Sequence, residues 1–392
     1  MSDFFGEAAD YAAMVCYAAA ILGCLYALIA VWLARGFVAS AATPAEGNPQ
    51  PCYPPVTILK PLHGNEPGLF ANLASFCVQD YPGPVQIVFG VQDSADPAIG
   101  VVRRLIADFP DLDLELVVSS RRHGTNRKIS NLLNMMSVAR HDVIALSDSD
   151  IIVGRDYLKN ITAALDQPGV GLVTCLYRGA AAANRWARLG AAAIDFHFLP
   201  SVLVGIKFGL AKPCFGSTIA LTKNTLDLIG GFKSVVEHIA DDYAIGELVR
   251  RAGLKVAIPS FTVTHVCTQQ SGRDLFRNEM RWARTIRFVD AFGFVGSAIT
   301  HALPLALLGT LLGGVTEASV IVIAALACRF SLQMQFERTF RLSGNLFWLG
   351  PLRDAFSFVV FFASFFGRTV EWRGRRYAVR ADNTLVYAEA IE

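Results

Sequence analysis

Two groups of carboxylates carry the chemistry that this chain is expected to perform. Asp148 and Asp150 are spaced one residue apart directly after the apolar run 143–146, and Asp241 and Asp242 follow later in the chain. Carboxylates in this position at a strand end point toward one crevice, which is the geometry that a divalent cation and a diphosphate need. We therefore predict that Asp148 and Asp150 hold Mg²⁺ or Mn²⁺; the alternative is a pair of surface turn aspartates.

The two later acids have a different predicted role. Asp241 and Asp242 open a helical pattern at 243–251, so either acid may cap that helix in the plain structural interpretation. In the functional interpretation, one of them is a general base that takes a proton from an acceptor hydroxyl as this attacks an anomeric carbon. The adjacent like charge would raise the pKa of that base, and direct attack would invert the anomeric configuration.

Three further polar residues are candidates with an open alternative. Asp93 ends the run 85–91 and either accepts hydrogen bonds from the uracil or ribose of a donor nucleotide or forms a turn. Lys128 lies one helical turn before Asn131, near a loop that would touch the donor, or simply in a solvated helix start. His197 lies in an apolar stretch and either faces the acceptor or is a core histidine.

Composition favours a membrane protein over a soluble one. Of the 392 residues, 53% are hydrophobic and only 17% are charged, whereas about a quarter are charged in a typical soluble domain. The net charge of +2 gives no support for nucleic-acid binding. The eight cysteines include no C-x-x-C pair, which is typical of reduced thiols facing a cytosol.

The N-terminal region is predicted to be a transmembrane anchor. Residues 11–34 carry no charge, a run long enough to cross about 30 Å of hydrocarbon. The leader before this run is acidic, unlike the basic start of a secretory signal peptide. The acidic leader would stay outside while Arg35 and the body remain cytoplasmic.

The body alternates short apolar runs with helical patterns. Strands are predicted at 56–59, 85–91, 114–118, 143–146, 171–176 and 217–221. Helices are predicted at 69–79, 98–109, 126–140, 157–165 and 243–251. Strands separated by helices of this length indicate an α/β domain with a mostly parallel sheet.

Beyond the body, an arginine-rich helix precedes more apolar segments. Residues 273–289 place five arginines on one stripe and apolar residues on the other side, a pattern typical of a helix in the membrane interface. One of these arginines would turn inward to bind a diphosphate. Residues 318–328 are short for a crossing, and Arg353-Asp354 interrupts the last apolar run, which makes a re-entrant hairpin as plausible as a span.

These patterns divide the chain into six parts. They are a transmembrane anchor (1–40), a linker (41–55), a cytoplasmic catalytic domain (56–272), an interfacial amphipathic helix (273–290), C-terminal membrane segments (291–367) and a basic cytoplasmic tail (368–392). We expect an integral protein of a bacterial inner membrane or a similar membrane.

Taken together, the motifs resemble the ceramide glucosyltransferase family, within the family-2-type glycosyltransferases of the nucleotide-sugar (GT-A) fold. The resemblance covers 56 to about 287 and rests on the order and spacing of several motifs. These are Leu-Lys-Pro-Leu-His-Gly at 59–64, Asp-Tyr-Pro at 80–82, Val-Gln-Asp at 91–93, Lys-Ile-Ser-Asn-Leu at 128–132, Ile-Ala-Asp-Asp-Tyr at 239–243 and Arg281-Trp282.

The resemblance implies a role for each candidate. Asp93 would bind the nucleotide, Asp148 the metal-diphosphate, and Asp242 would be the base. Arg281 and Trp282 would hold the diphosphate and the acceptor mouth, and His197 matches a histidine implicated in the family.

Two departures from the family pattern affect the predicted substrates. The family usually has Gln or Arg three residues before Arg-Trp, whereas this chain has Asn278, and ceramide enzymes often lack the second acid, present here as Asp150. In having this second acid, the chain resembles bacterial relatives, including a glycosyltransferase associated with hopanoid synthesis that uses N-acetylglucosamine.

The leading hypothesis is inverting transfer of a hexose, glucose or N-acetylglucosamine, from a UDP-sugar to a membrane lipid hydroxyl. Ceramide-type glycolipid synthesis is expected, with N-acetylglucosamine transfer to a hopanoid polyol as the alternative. A processive polysaccharide synthase would need more long spans than this chain offers. A non-enzymatic lipid-binding or transport-accessory protein would have no use for the acid clusters.

Overall fold

The computed structural model describes residues 2–41, 53–182, 184–313, 318–342, 347–367, 369–372, 375–379 and 384–387. Most of the predicted linker at 41–55 lies outside these residues. The chain divides into two compact units. We call them the helical unit (Met1–Ser40, Gly179–Ala211, Gln269–Arg368) and the sheet unit (Ala41–Arg178, Lys212–Thr268, Thr369–Glu392).

The strands are numbered in chain order. They are β1 Val56–Pro61, β2 Val85–Val91, β3 Asp113–Val118, β4 Val143–Leu146, β5 Ile151–Ile152, β6 Val170–Thr174, β7 Leu176–Ala181, β8 Ile219–Thr222, β9 Lys255–Ala257, β10 Thr262–Cys267, β11 Thr369–Trp372, β12 Arg375–Val379 and β13 Leu385–Tyr387.

The α-helices are numbered in the same way. They are α1 Ser2–Ala41, α2 Leu69–Cys77, α3 Ala98–Asp108, α4 Arg127–Met135, α5 Tyr157–Leu165, α6 Arg185–Ala193, α7 Leu199–Lys207, α8 Lys223–Leu228, α9 Asp241–Arg251, α10 Gly272–Val289, α11 Ala291–Gly296, α12 Ala302–Gly313, α13 Ala318–Phe340 and α14 Gly350–Ser364. A π-helix, Ile194–Phe198, connects α6 to α7.

The sheet unit is built on a sheet in the order β3-β2-β1-β4-β8-β6-β9. Strands β3, β2, β1 and β4 are parallel neighbours, and β8 is antiparallel to both of its neighbours. The predicted mostly parallel sheet is therefore confirmed. Its central strands β1, β2, β4 and β8 are mostly apolar because helices cover both faces.

The two faces of this sheet fill two separate cores. In β1, Val56 and Ile58 pack into one core while Leu59 packs into the other. In β2, Phe89 and Val88 divide in the same way. This alternation follows from the two-residue period of a strand, whose side chains point to opposite faces.

Most predicted elements of the body are present with small shifts at their ends. Strands 85–91 and 143–146 and helix 157–165 have the predicted bounds. The predicted helix 126–140 ends at Met135, where the chain continues in i→i+3 turns such as Val138 N to Met135 O. The sequence analysis missed the small sheet β5-β10-β7, whose short strands give little periodic signal.

The end of the chain, predicted as a basic tail, contains a further sheet in its described part. Strands β11, β12 and β13 pair antiparallel in that order. His238 pairs with Thr384 in an isolated antiparallel bridge. The arginines at 368, 373 and 380 lie outside the described residues.

Within the part of the chain that the structure describes, the helical unit contains three helices long and apolar enough to cross a membrane. They are Gly6–Phe37, Arg185–Lys207 and Ser319–Phe340. The bent pair Ala291–Thr300 and Ala302–Gly313 would make a fourth if it forms one broken span. The first helix covers the segment predicted to be the anchor, whereas Arg185–Lys207 was not anticipated because its sequence was assigned to the catalytic domain.

The apolar run 318–328, which is short for a crossing alone, is the first part of a longer helix. Helix α13 continues to Phe340 through Arg329, the charge at which the apolar run ended in the sequence. Arg329 Nη2 lies 2.7 Å from Asp354 Oδ1, and only 9% of Arg329 is exposed. The ion pair removes the cost of an isolated charge, which the linear sequence does not reveal.

Helix α1 packs closely on the 299–313 segment through glycines. A Cβ added to Gly23 would lie 2.3 Å from Ile299 O and 2.7 Å from Ala302 Cβ, and one added to Gly309 would lie 2.7 Å from the Tyr17 ring. Small residues allow helix backbones to approach where apolar burial alone does not drive association.

We predict that Gly23→Leu lowers the melting temperature of the purified protein, because the nearest obstruction is a backbone carbonyl that cannot rotate away. Gly36→Leu is the matched control, since a Cβ at Gly36, in the same helix, meets nothing within 4 Å. Thermal unfolding followed by intrinsic fluorescence measures both. Equal melting temperatures for the two variants would contradict the close packing.

Candidate active site

The candidate site lies at the carboxyl edge of the parallel strands. Strands β1 and β4 are parallel neighbours, so their carboxyl ends lie at the same edge of the sheet. The residues 147–150 follow β4 directly, and Ser147 N donates to Leu59 O at 3.2 Å. Ligands of open α/β sheets bind at this edge.

Lys60, which the sequence analysis did not select, lies under the predicted metal-binding turn. Its side chain is fully buried, and its Nζ donates to Ser147 Oγ at 3.3 Å and to Asp148 O at 2.5 Å. Burial lowers the pKa of Lys60 to about 7, although the nearby Asp148 and Asp150 carboxylates oppose the shift. Lys60 thus fixes the backbone from which Asp148 and Asp150 project.

Lys128 is the centre of the acidic cluster. Its Nζ lies 2.7 Å from Asp148 Oδ1 and 3.3 Å from Asp241 Oδ2, and only 8% of the residue is exposed. Although burial alone would lower the pKa of Lys128, the Asp148 and Asp241 carboxylates raise it above its ordinary value. The Lys128 ammonium therefore stays charged and joins the two acidic segments.

The helix that carries Lys128 is fixed at its start. Asn126 caps α4 by accepting from Ile129 N, and its amide donates to Asp241 Oδ1 at 3.2 Å and to His238 O at 2.8 Å. Glu237 Oε2 accepts from Thr125 Oγ1 at 2.5 Å. These bonds hold the loop before α4 against the loop before α9.

Gly216 connects Asp148 to Asp242. Its carbonyl accepts from Asp148 N at 3.1 Å, and its N–H donates to Asp242 Oδ2 at 2.9 Å. A Cβ at this position would lie 2.6 Å from Asp148 Oδ2 and 3.0 Å from Lys128 Nζ. Glycine is required here because both side chains approach the backbone closely.

Asp242 has the properties of a base near neutral pH. Burial, together with the adjacent Asp241 carboxylate, raises the pKa of Asp242 to about 6. Its Oδ1 accepts from Tyr243 N at 2.8 Å, so both oxygens are oriented by backbone donors. Asp242 lies in the first turn of α9, as the sequence analysis anticipated. The N-cap residue itself is Ala240, which makes no side-chain hydrogen bond.

Asp150 is paired with a histidine that was not predicted to take part. Asp150 Oδ1 lies 3.4 Å from His265 Nδ1 on β10. Burial alone would lower the pKa of His265, but the Asp150 carboxylate raises it well above its ordinary value. The same interaction lowers the pKa of Asp150 against the effect of its own burial.

The residues of this edge fit a divalent cation that keeps substrate and water ligands. Among the described residues, no three His, Cys, Asp or Glu side chains are grouped as a closed metal cage. Mg²⁺ needs only one or two carboxylates when phosphate oxygens and water complete its shell. Asp150 Oδ1 is held by the ion pair with His265 and makes no hydrogen bond, and the Asp148 side chain is 37% exposed.

Asp93 has the turn geometry that was one of its two predicted roles. Asp93 is exposed at the end of β2, and its Oδ1 accepts from Ala95 N at 2.9 Å in a turn. The buried acid nearby is Asp96, which accepts from Gly64 N and Ala98 N. Asp93 is thus a turn residue at the ligand-binding edge, whereas Asp96 fixes the loop after β1.

Asn131, one turn after Lys128, has a structural role. Its amide donates to Gly90 O at 2.7 Å beneath the sheet edge. These two residues therefore differ in role: Lys128 enters the acidic cluster, and Asn131 ties the helix to β2.

The remaining predicted residues belong to the helical unit. His197 lies in the π-helix, with its Nε2 3.0 Å from Arg329 Nη2 and 3.0 Å from Asp354 Oδ1. A small cavity borders this cluster and is also lined by Tyr26 and Thr300. His197 is therefore part of a buried charged network and not an isolated core histidine.

Arg281 and Trp282 lie midway along α10. Arg281 Nη2 donates to Asn278 Oδ1 at 2.9 Å, and its guanidinium lies 6.0 Å from the Trp282 ring centre. Asn278, the departure noted in the sequence, thus contacts Arg281 directly. On the same helix Arg284 and Arg287 donate to the carbonyls of 365–367, so these two arginines cap the end of α14.

Comparison with known proteins decides the family. The model of "Glycosyl transferase family 21" matches residues 15–385. The chain belongs to glycosyltransferase family 21. This membership confirms the resemblance drawn from the motifs.

Curated relatives of this family 21 chain include ceramide glucosyltransferases. Ceramide glucosyltransferase 1 of Caenorhabditis elegans is 28% identical over 247 residues, which are 60% of this chain and 51% of that protein. The ceramide glucosyltransferase of Candida albicans is 31% identical over 132 residues, 31% of this chain and 24% of that protein. The family 21 chain thus matches about half the length of the Caenorhabditis elegans protein and about a quarter of the Candida albicans protein.

A solved structure supports the fold. The mannosyltransferase PcManGT from Pyrobaculum calidifontis, in complex with GDP-Man and Mn²⁺, has a TM-score of 0.53 at 20% identity. The match covers 91% of the family 21 chain and 99% of that chain. The predicted GT-A fold is confirmed.

Sequence reasoning missed residues whose partners are distant in the chain. They are Lys60, Asp96, Gly216, His265, Glu279 and Arg329. Lys60 gave the clearest available signal, because a lysine inside the apolar run 56–62 interrupts a strand that is otherwise buried. A buried lysine needs a compensating group, and the acids after β4 were the nearest candidates by topology.

We predict that Lys128→Met destabilises the protein, since Asp148 and Asp241 would lose their shared cation. Breaking such a buried pair costs roughly 3 kcal/mol in the free energy of unfolding. Lys159→Met is the control, because the Lys159–Asp80 pair is on the surface, where solvent screens the attraction and little stability depends on it. Similar melting temperatures for both variants would show that Lys128 does not balance the cluster.

Proposed function

We propose that this family 21 protein transfers a hexose from a UDP-sugar to a hydroxyl group of a membrane lipid, with inversion at the anomeric carbon. The observation that carries the proposal is the convergence of Asp148, Asp241 and Asp242 around Lys128 and Gly216 at the ligand-binding edge of the sheet. Aspartates that only formed surface turns would not be expected to converge on one buried ammonium group.

The donor would bind along the carboxyl edge of the sheet. Asp93 is proposed to accept hydrogen bonds from the uracil or ribose, as acids at strand ends do in related nucleotide sites. Lys128 holds Asp148 in place and adds positive charge near the diphosphate. Arg281 and Trp282 are proposed to hold the diphosphate and the acceptor mouth, as the family resemblance implies.

Asp148 and Asp150 are the residues that would hold Mg²⁺ or Mn²⁺. Such a cation, when bound, neutralises negative charge on a departing nucleoside diphosphate. Lys60 contributes by fixing the backbone of this turn, and His265 holds Asp150 through their ion pair.

Asp242 would act as the base. Its carboxylate takes the proton of the acceptor hydroxyl while the hydroxyl oxygen forms the new bond to the anomeric carbon. The bond from that carbon to the diphosphate oxygen breaks with its electron pair, which gives UDP and an inverted glycoside. A pKa of about 6 leaves Asp242 ionised at neutral pH but more basic than an ordinary aspartate.

Two features support a lipid acceptor and a cytoplasmic reaction. The helical unit has three helices able to span a membrane, and the curated relatives are named for glucose transfer to ceramide. The acidic leader before the first span and the basic residues after it favour a cytoplasmic body. We propose a ceramide-type acceptor bound with the help of His197; N-acetylglucosamine transfer to a hopanoid polyol remains the alternative.

We predict that the full chain in lipid nanodiscs transfers radiolabelled glucose from UDP-glucose to ceramide when Mn²⁺ is present, and that EDTA stops the transfer. Asp148→Asn should lower the rate at least about a hundredfold, since it removes a carboxylate proposed to hold the cation that neutralises the diphosphate. Asp227→Asn, an exposed acid on α8, should leave the rate unchanged.

The same assay distinguishes the alternatives. If a product forms only with UDP-N-acetylglucosamine and a hopanoid polyol, the acceptor is the hopanoid polyol and not ceramide. If the folded protein neither binds nor turns over either UDP-sugar, the proposed function is overturned and a non-enzymatic lipid-binding role is favoured.

The pH dependence should report the base. Because Asp242 must be ionised to accept a proton and its pKa is about 6, kcat/KM should be constant above about pH 7. It should fall about tenfold for each pH unit below 6 as Asp242 becomes protonated.

Asp242→Asn should lower the rate by a factor of roughly a hundred or more and abolish this acidic limb. The matched variant Asp227→Asn should keep both the rate and the limb. An unchanged limb in Asp242→Asn would assign the titration to another group.

A further inference from the structure

A buried ion pair fixes the helix that carries Arg281 and Trp282. Glu279 lies two residues before Arg281 on α10 and is only 7% exposed, whereas Arg273 and Arg277 on the same helix are exposed. A buried carboxylate in an arginine-rich helix is costly unless it has a partner.

The partner is Arg353 of α14. Its Nη1 lies 2.7 Å from Glu279 Oε1 and its Nη2 lies 2.5 Å from Glu279 Oε2, the bidentate geometry in which arginine binds carboxylates most strongly. Arg353 is 2% exposed, and the helices α10 and α14 pack on each other.

The remaining donors of Arg353 are also occupied. Its Nε donates to Ser357 Oγ at 3.2 Å, its Nη2 to the same oxygen at 2.6 Å, and its Nη1 to Leu189 O at 3.4 Å. A planar guanidinium with this set of partners has one orientation, and this orientation fixes the position of the Glu279 carboxylate.

The adjacent acid does not compete for Arg353. Asp354 pairs with Arg329 of α13 and with His197, so the consecutive charges Arg353 and Asp354 serve two different clusters. Each of these consecutive charges therefore binds residues of other helices.

Rotation of α10 about its axis decides where Arg281 and Trp282 point. Residues three and four apart on a helix are neighbours on its surface, so Glu279 shares one side of α10 with Trp282. Asn278, next to Glu279, accepts from Arg281. Anchoring Glu279 therefore sets the orientation of both functional candidates.

We propose that Glu279 and Arg353 are positioning residues for the transfer reaction: their buried bidentate pair holds α10 in the rotation that presents Arg281 and Trp282. The inference rests on the proposed function, because it assigns no chemistry to the pair itself.

The test compares Glu279→Gln with wild type in nanodiscs, using UDP-glucose and ceramide. We expect kcat/KM to fall about tenfold or more, since small displacements of positioning groups have large kinetic effects. Glu247→Gln, which breaks the exposed Glu247–Arg251 pair, is the matched control and should retain wild-type kinetics.

Two further variants separate positioning from simple stability. In a Trp282→Phe background, Glu279→Gln should add little further loss, because both changes act on the same groups. The charge-reversed pair Glu279→Arg with Arg353→Glu should recover much of the activity lost in either single variant.

The outcomes distinguish the two proposals. Suppose that wild type turns over UDP-glucose. The positioning role is then overturned, and the function stands, if Glu279→Gln has the wild-type kcat/KM. The same holds if the losses caused by Glu279→Gln and Trp282→Phe multiply fully in the double variant. If wild type neither binds nor turns over a UDP-sugar, the proposed function itself fails. Should Glu279→Gln not fold, Arg353→Lys, which keeps the charge but loses the bidentate geometry, replaces it in the same comparison.

Discussion

The sheet unit depends on balancing negative charge in a partly buried edge. Three aspartates, at 148, 241 and 242, meet there, and they would repel one another without Lys128 between two of them. Lys60 adds a second buried ammonium beneath the same turn. These two lysines allow the chain to keep several carboxylates where a cation and a diphosphate would bind, because each carboxylate has a partner before the ligands arrive.

The helical unit applies the same principle among apolar helices. Arg329, Asp354 and His197 form one charged cluster, and Arg353 and Glu279 form another. Charges in such surroundings persist when they are paired with good geometry, and they then fix which helices meet. Both units thus use buried ion pairs to place side chains, one around the acids of the sheet edge and one around helix α10.

The strongest sequence predictions concerned elements whose signal is local. The strands at 85–91 and 143–146 were correct to the residue because a buried parallel strand is a short apolar run bounded by turn residues. Asp148, Asp242 and Lys128 were found because they end or open such elements. Residues 179–211 were misjudged as part of the catalytic body; their helices group with the helical unit, since burial in a bundle and burial in a sheet domain look alike in composition.

The sequence by itself determined the α/β fold class, the long apolar N-terminal helix and the acids that define the sheet edge, because periodicity and strand-end position are properties of neighbouring residues. Only the tertiary structure decided which charges pair. Lys60 with the turn after β4, His265 with Asp150 and Arg353 with Glu279 all join residues more than seventy positions apart. Such pairs form because burial removes water from a charge, and the chain order does not specify which opposite charge the fold will bring beside it.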